Sequence, residues 1–225
     1  MHVARERAQG PAAVLKAATS LVAVVLTLPF VGLFRLAAAL APSRSDSFFQ
    51  GYSQLFSLWP GMSGDIIRRA FYRQTLRDCS AECTIGFGTV FATTAVDLAE
   101  GVYIGLHGNI GHATIARDTL LGSNVTILSG RRQHHIERLD VPVRLQGGTY
   151  ERVRIGIDVW IGNGAIVSCD VGDHAVVAAG AIVVHPVPPR AIVGGNPAKV
   201  IGWRGPGAGG TPVAGDVPVA EHHPA

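Results

Sequence analysis

Branched apolar residues recur at six-residue intervals along much of this chain, and each is followed by a small residue. The clearest repeats are Ile104-Gly105, Ile110-Gly111, Ile155-Gly156 and Ile161-Gly162. A period of six matches neither the 3.6-residue turn of an α-helix nor the two-residue alternation of a long strand, but it is the period of hexapeptide β-helix repeats. Strands this short bury their apolar side only when successive turns stack around one interior. The pattern therefore predicts an all-β coil, with the repeats running from about Cys83 to Val183.

One long interruption breaks the repeat. The segment 130–150, GRRQHHIERLDVPVRLQGGTY, is polar, contains Pro142 and Gly147-Gly148, and has no six-residue period. A long excursion from a regular scaffold is more often functional than accidental. We therefore expect a protruding loop at 130–150 that carries chemistry.

The N-terminal part of the chain is apolar. Residues 17–34 carry no charge and are about long enough to cross a bilayer. Pro29 is expected to kink or end a helix, so the segment either spans the membrane or dips into one leaflet. A cleaved secretory signal is the alternative reading. Residues 45–76 place apolar side chains beside arginines, which predicts an amphipathic helix that lies on a membrane, covers the open end of the coil, or does both.

These patterns divide the chain into three parts. Residues 1–77 are expected to form a membrane-associated helical segment, residues 78–204 the coil with a short C-terminal extension, and residues 205–225 a Gly/Pro/Ala-rich tail expected to be disordered.

Hydrophobic residues make up 48% of the 225 residues and charged ones 16%, which indicates membrane contact or self-association. The net charge of +3 has no basic stripe alternating with aromatics, so nucleic acid is not an expected partner. The three cysteines have no metal-ligand spacing, and we expect reduced thiols and no metal.

Three segments resemble the hexapeptide-repeat acyltransferases, the group that includes galactoside, maltose and streptogramin acetyltransferases. They are VWIGNGAIV at 159–167, GAIV at 180–183 and PPRAIVGGNPAKVIGWR at 188–204. The apolar front end, with LWPG and RRAFYR, resembles the membrane-associated branch that modifies cell-surface polysaccharides or their lipid-linked precursors. The resemblance implies a left-handed parallel β-helix and a homotrimer with active sites between subunits. It also implies transfer of an acyl group from acetyl-CoA, or another acyl-CoA, to a hydroxyl or amine.

In this family a histidine on the excursion loop acts as the general base, a role that suits an imidazole because its pKa lies near neutrality. The resemblance points to His134, shortly after Ser129-Gly130, with His135 as the alternative. It further implies a set of contacts to the acyl-CoA. These are Asn163 near the reactive end, Ala179 along the pantetheine arm, His185, Lys199 and Arg204 at the phosphates, and Trp160 in the site wall or between subunits.

The expectation is a membrane-associated O-acetyltransferase that acts on a sugar, polysaccharide or glycolipid precursor, with its catalytic coil in the cytoplasm. Two other functions fit the same fold. A γ-carbonic-anhydrase-like metal hydratase would use His107 and His112, which have a suitable five-residue spacing, but the third ligand histidine expected earlier in the chain is absent between His2 and His107. A non-catalytic coil used as an assembly platform would need neither the paired histidines of the loop nor the basic C-terminal end.

Overall fold

The computed structural model describes residues 11–205, which form three α-helices followed by a three-faced parallel β-helix. The helices are α1 (Pro11–Leu40), α2 (Ser45–Ser57) and α3 (Gly61–Thr75), with short 3-10 turns at Pro42–Arg44 and Val143–Leu145. The strands are β1 (Asp78–Cys79), β2 (Thr84–Ile85), β3 (Val90–Phe91), β4 (Asp97–Leu98), β5 (Tyr103–Ile104), β6 (Asn109–Ile110), β7 (Ala113–Ile115), β8 (Leu120–Leu121), β9 (Thr126–Ile127), β10 (Val153–Ile155), β11 (Trp160–Ile161), β12 (Ile166–Val167), β13 (Val176–Val177), β14 (Ile182–Val183), β15 (Ala191–Gly194) and β16 (Lys199–Trp203). The predicted tail lies outside the described residues apart from Gly205.

The strands stack as three flat faces, and this confirms the predicted parallel β-helix. Face A contains β1, β4, β7 and β10; face B contains β2, β5, β8, β11, β13, β15 and β16; face C contains β3, β6, β9, β12 and β14. All neighbours are parallel except β15 and β16. The coil has about six turns. Residues at the six-residue apolar positions, such as Ile104, Leu121 and Ile161, are stacked in register and fully buried.

The corners between faces use residues in the left-handed backbone region. At the A–B edge, where the chain passes from face A to face B, the positive-φ residues other than glycine are Asp118, Asp158, His174 and Arg190. At the B–C edge they are His107 and Asn124. Aspartate and asparagine tolerate this conformation better than most side chains. The third edge, from face C to face A, is where the chain leaves the coil at the long excursion.

Helices α2 and α3 cover the first turn of the coil. Arg68 of α3 is completely buried and donates from Nε to the carbonyl of Ile85 at 2.9 Å and from Nη1 to the carbonyl of Trp59 at 2.5 Å, while it also pairs with Asp65. Ser53 of α2 accepts a hydrogen bond from the backbone N–H of Phe91 at 2.9 Å. The exposed backbone of the first turn is therefore satisfied by the helices.

Helix α1 packs against α3 and α2 and continues through Pro29. Of the two outcomes expected at Pro29, a kink or an end of the helix, the end is not observed. Proline removes one backbone hydrogen bond, but Thr27 and Val31 on either side are buried where α1 meets the other helices, and this packing maintains the helix. Ala13–Leu40 is long and apolar enough to cross a membrane by length and composition alone.

Candidate active site

The excursion of residues 130–151 forms an arm that leaves the C–A edge after β9 and returns to β10. Its two ends meet at a neck, where the N–H of Glu151 donates to the carbonyl of Ser129 at 2.9 Å. Gly130 has a φ of 81°, and a Cβ there would lie 2.7 Å from the Cβ of Glu151. The neck is therefore narrow enough to require glycine on one side.

The two backbone runs of the arm are hydrogen-bonded to each other. The N–H of Thr149 donates to the carbonyl of Arg132 at 2.8 Å, and the N–H of His135 donates to the carbonyl of Gly147 at 3.0 Å. Between these bonds the runs cross so closely that a Cβ on Gly148 would lie 1.8 Å from the carbonyl oxygen of Gln133. The arm therefore has a defined backbone conformation at this point, although it lies outside the repeat.

The predicted general-base candidates, His134 and His135, lie in this paired part of the arm. His134 is exposed and His135 is half-buried, with its Nδ1 3.8 Å from a carboxylate oxygen of Glu137. Farther out, the side chain of Leu139 is completely exposed. Both imidazoles are accessible to a reactant brought to the arm, and neither histidine is distinguished from the other as a base by these contacts.

A polar cluster at the neck of the arm was not identified from the sequence. Asp97 on β4 is the common acceptor: Nε of Arg77 donates to it at 2.6 Å, the hydroxyl of Thr114 at 2.8 Å and Nη1 of Arg152 at 2.9 Å. Nη2 of Arg152 lies 2.5 Å from Nε2 of His112. The six-residue period could have revealed one pair, because Asp97 and Thr114 both precede a buried repeat residue and are paired in register. Arg152 follows the arm, so no period places it there.

The contact with Arg152 determines which ring nitrogen of His112 accepts a hydrogen bond. A guanidinium has no acceptor, so Nε2 of His112 must accept from Arg152, and the neutral ring carries its proton on Nδ1. Burial lowers the pKa of His112, and the positive charges of Arg152 and Arg77 lower it further. Partial burial acts to raise the pKa of Asp97, but its hydrogen bonds and the two arginine charges outweigh that effect and lower it.

The backbone of His112 connects this cluster to the arm. Its N–H donates to Oγ of Ser129 at 2.9 Å, and its carbonyl accepts from the N–H of Val153 at 2.9 Å. His112 therefore lies between the outgoing and the returning ends of the arm. A cavity of about 480 Å³ on face A is lined by Asp97 and Thr114 among others, but by neither histidine of the arm.

Three of the predicted acyl-CoA contacts follow the B–C edge. Asn163 and Ala179 occupy the same corner on successive turns, where the carbonyl of Asn163 accepts from the N–H of Gly180 at 2.8 Å. The Oδ1 of Asn163 accepts from the backbone N–H of Ser123 at 2.9 Å, so this side chain also ties two turns together. Lys199 follows at the end of the edge, paired with Gly194 and exposed. The edge is thus built of small residues with a cation at one end.

The other predicted contacts lie elsewhere. Arg204 is at the A–B edge, where Nη1 donates to the carbonyl of Asp158 at 2.8 Å and Nη2 lies 2.9 Å from its carboxylate. His185 is exposed at the C–A edge, two turns beyond the neck of the arm. Trp160 lies on face B with 55% of its surface exposed, between Leu120 and Val176. In a single chain, the residues of the predicted site therefore lie along all three edges of the coil.

The two histidines considered for a metal hydratase are on different edges of the coil. His107 lies at the B–C edge against the ring of Phe87, whereas His112 lies at the C–A edge. Within residues 11–205, no three or more histidine, cysteine, aspartate or glutamate side chains are grouped closely enough to hold a metal ion.

Several known proteins are similar in sequence to part of this chain. The chain is 33% identical over 140 residues to a putative acetyltransferase of Saccharomyces cerevisiae, covering 57% of this chain and 68% of that protein. It is 34% identical over 92 residues to galactoside O-acetyltransferase of Escherichia coli, covering 39% of this chain and 42% of that enzyme. A putative lipopolysaccharide biosynthesis O-acetyl transferase of E. coli is 29% identical over 123 residues, with 52% and 61% covered. No protein-family model matches the chain.

Solved structures share the fold. A maltose O-acetyltransferase of Clostridium difficile superposes with a TM-score of 0.61 at 22% identity, over 70% of this chain and 87% of that one. A galactoside acetyltransferase in complex with coenzyme A superposes with a TM-score of 0.59 at 19% identity, over 70% and 82%.

Proposed function

Because this chain belongs to the hexapeptide-repeat acetyltransferase family, we propose that it transfers an acetyl group from acetyl-CoA to a hydroxyl of a sugar, polysaccharide or glycolipid precursor. The observation that supports the proposal is the arm, in which hydrogen-bonded backbone runs carry His134 and His135. Position matters here, because a general base must come within hydrogen-bond reach of the proton that it removes.

The proposed reaction needs one group that both accepts and returns a proton. The imidazole of His134, or of His135, removes the proton of the acceptor hydroxyl as its oxygen attacks the thioester carbonyl carbon. The C–S bond then breaks, the thiolate of CoA takes the proton from the imidazolium, and an acetyl ester and free CoA are left. A neutral histidine suits both steps because its pKa lies near the working pH.

The B–C edge is the proposed binding surface for the donor. The small residues around Ala179 leave room for an extended pantetheine chain, and the exposed ammonium of Lys199 suits the phosphates at its far end. The similar galactoside acetyltransferase structure is a complex with coenzyme A, which supports this class of donor. In the proposal, His185 and Arg204 supply further phosphate contacts.

A homotrimer would assemble the site from separate edges. The arm leaves the C–A edge, whereas Asn163 and Ala179 lie on the B–C edge. A neighbouring copy can bring its B–C edge to the arm of the first. Two exposed apolar surfaces support such contacts: the arm tip with Leu139, and the row on face B formed by Tyr103, Leu120 and Trp160 in register.

The proposed acceptor is a cell-surface saccharide precursor at a membrane. The similar E. coli proteins are named for galactoside O-acetylation and for lipopolysaccharide biosynthesis, and α1 supplies an apolar helix for membrane attachment. Because the CoA donor is cytosolic, the proposal places the coil on the cytoplasmic side.

The test measures CoA release by the purified full chain with acetyl-CoA and a panel of free sugars and lipid-linked saccharides. His134→Ala, His135→Ala and the double variant are compared with the parent. Removal of the true base should lower kcat about 10²- to 10⁴-fold. His174→Asn is the matched control, because it removes an exposed imidazole from the A–B edge while asparagine tolerates the positive φ there. Undiminished turnover by the double variant would reject the mechanism.

A further inference from the structure

Helix α1 is apolar on every side, but the protein covers only one side of it. Ala23, Thr27, Val31 and Phe34, which are three or four residues apart, are buried against α2 and α3. The opposite side exposes large apolar side chains, which include Leu21, Val22, Val25, Leu26, Leu33 and Leu36. A helix that is apolar all round needs an apolar environment on each side. The exposed side therefore needs a covering of its own.

Polar contacts attach α1 to the rest of the protein along its length. Near its start, Nζ of Lys16 lies 2.8 Å from the carboxylate of Glu82 on the coil. In the middle, Nε2 of Gln74 donates to the hydroxyl of Thr27 at 2.7 Å, and near its end Nη2 of Arg35 donates to the carbonyl of Gln74 at 2.9 Å. At 1.5 Å per residue, the helix extends about 28 Å between Lys16 and Arg35. Both ends are thus bound to one body.

This attachment argues against a spanning helix. If α1 spanned the bilayer, one of its ends would lie on the far side of the membrane. The polar groups that contact α1 would then have to enter the hydrocarbon with the helix or lose their contacts to it. Glu82 and Gln74 are among these groups, and a charged side chain is costly in the bilayer core. An in-plane position keeps every contact and covers the exposed apolar side.

Charge favours an anionic lipid surface over a second copy of the chain as the covering. Residues 11–77 contain seven basic side chains and two acidic ones. Arg68 is buried beside Asp65, and Lys16 and Arg77 pair with Glu82 and Asp97. The other four basic residues, Arg35, Arg44, Arg69 and Arg73, face one remaining acidic residue, Asp46, so this region keeps an excess of positive charge. Basic residues near an apolar helix are attracted to anionic headgroups, whereas two copies of the same basic region repel each other.

We propose that α1 lies in the plane of an anionic leaflet, with its exposed apolar side in the headgroup–acyl boundary and both of its ends on the same side of the membrane as the coil. This inference rests on the membrane association in the proposed function. The helix neither spans the bilayer nor dips into it and returns, but stays packed on α3.

Lipid binding is tested first, with the full chain and vesicles of phosphatidylcholine with or without phosphatidylglycerol. The parent should sediment with the phosphatidylglycerol vesicles, and Leu26→Asp should weaken binding about tenfold or more, because it places a charge at the buried boundary. Val200→Asp is the matched control, since it changes an exposed apolar side chain in the last strand, at the opposite end of the coil from α1, and should leave binding unchanged. Unchanged binding of Leu26→Asp overturns the proposal. The proposal is also overturned if Leu26→Asp makes the assembly in solution smaller than that of the parent, because a second copy of the chain would then be what covers the helix.

Topology is tested in cells that express the full chain. Ala17→Cys and Ser43→Cys, at exposed positions near the two ends of α1 and away from the centre of its exposed apolar side, are labelled with a membrane-impermeant maleimide in intact spheroplasts and in inverted vesicles, with the parent as background for the native cysteines. Both sites should react only in inverted vesicles. Labelling from opposite sides would refute the in-plane helix but leave membrane association intact. A chain found wholly in the soluble fraction would refute both, while the CoA-release assay tests acetyl transfer separately.

Discussion

Nη2 of Arg152 lies 2.5 Å from Nε2 of His112 at the point where the arm returns to the coil. Burial lowers the pKa of His112, the charge of Arg152 lowers it further, and the contact links the ring to Asp97, the shared acceptor of the cluster. Because the backbone of His112 also bonds to Ser129 and Val153, the cluster joins both ends of the arm to face A. The position of the arm therefore depends on residues far from its histidines.

The first prediction concerns acid stability. The folded-state pKa of His112 is lowered, so between its unfolded pKa, about 6.5, and its folded pKa the unfolded chain binds more protons than the folded one. Stability should therefore fall as pH decreases through that window. His112→Asn removes the ionisable group. The free energy of unfolding of this variant, measured with a denaturant, should therefore change less between pH 7 and pH 5 than that of the parent. An equal pH dependence in the two proteins would contradict the assignment.

The second prediction concerns Asp97. Asp97→Ala leaves the mostly buried Arg152 without its carboxylate partner, so the free energy of unfolding should fall by about 1–3 kcal/mol. Asp140→Ala is the control, because Asp140 pairs with Arg138 on the exposed part of the arm, and exposed pairs contribute about 0–1 kcal/mol. Equal losses in the two variants, measured by urea unfolding, would argue against a cluster that stabilises the neck.

The third prediction concerns the crossing within the arm. Gly148→Ala places a methyl group against the carbonyl of Gln133, so the two runs must separate and the histidines must move. Because small displacements of catalytic groups are costly, kcat should fall about 10²-fold while the coil stays folded. The control is Gly51→Ala in α2, where nothing lies within 4 Å of the added methyl group. That variant should keep full activity and gain up to about 1 kcal/mol of stability.

The fourth prediction separates two basic residues. Lys199 is exposed at the end of the B–C edge, whereas Arg204 is bound to the backbone and carboxylate of Asp158. Lys199→Ala should raise KM for acetyl-CoA about tenfold with little loss of stability, since it removes a charge-assisted phosphate contact. Arg204→Ala should lower the melting temperature, because it frees Asp158, and it should raise KM less than Lys199→Ala does, because its guanidinium is already paired with Asp158. If KM responds only to Arg204→Ala, the donor lies along the A–B edge instead.

Much of the fold was predictable because it is repetitive. In a coil, each buried position contacts the same position one turn away, so the six-residue period at Ile104 and Ile110 specifies both the strands and their stacking. The arm was predictable as the place where the period fails. A local rule predicted a kink or an end of the helix at Pro29, and the helix does not end there because packing against α2 and α3 outweighs one missing hydrogen bond.

The sequence by itself determined the repeat, the arm with its two histidines and the apolar character of α1. Only the tertiary structure decided that Asp97, His112 and Arg152 meet at the neck, that Arg68 is buried against the first turn, and that both ends of α1 are held on one body. The physical reason is the kind of contact that a repeat can specify. Periodicity records contacts between equivalent positions of neighbouring turns, whereas these contacts join elements with no common period, and their partners are set by how the helices and the arm pack on the finished coil.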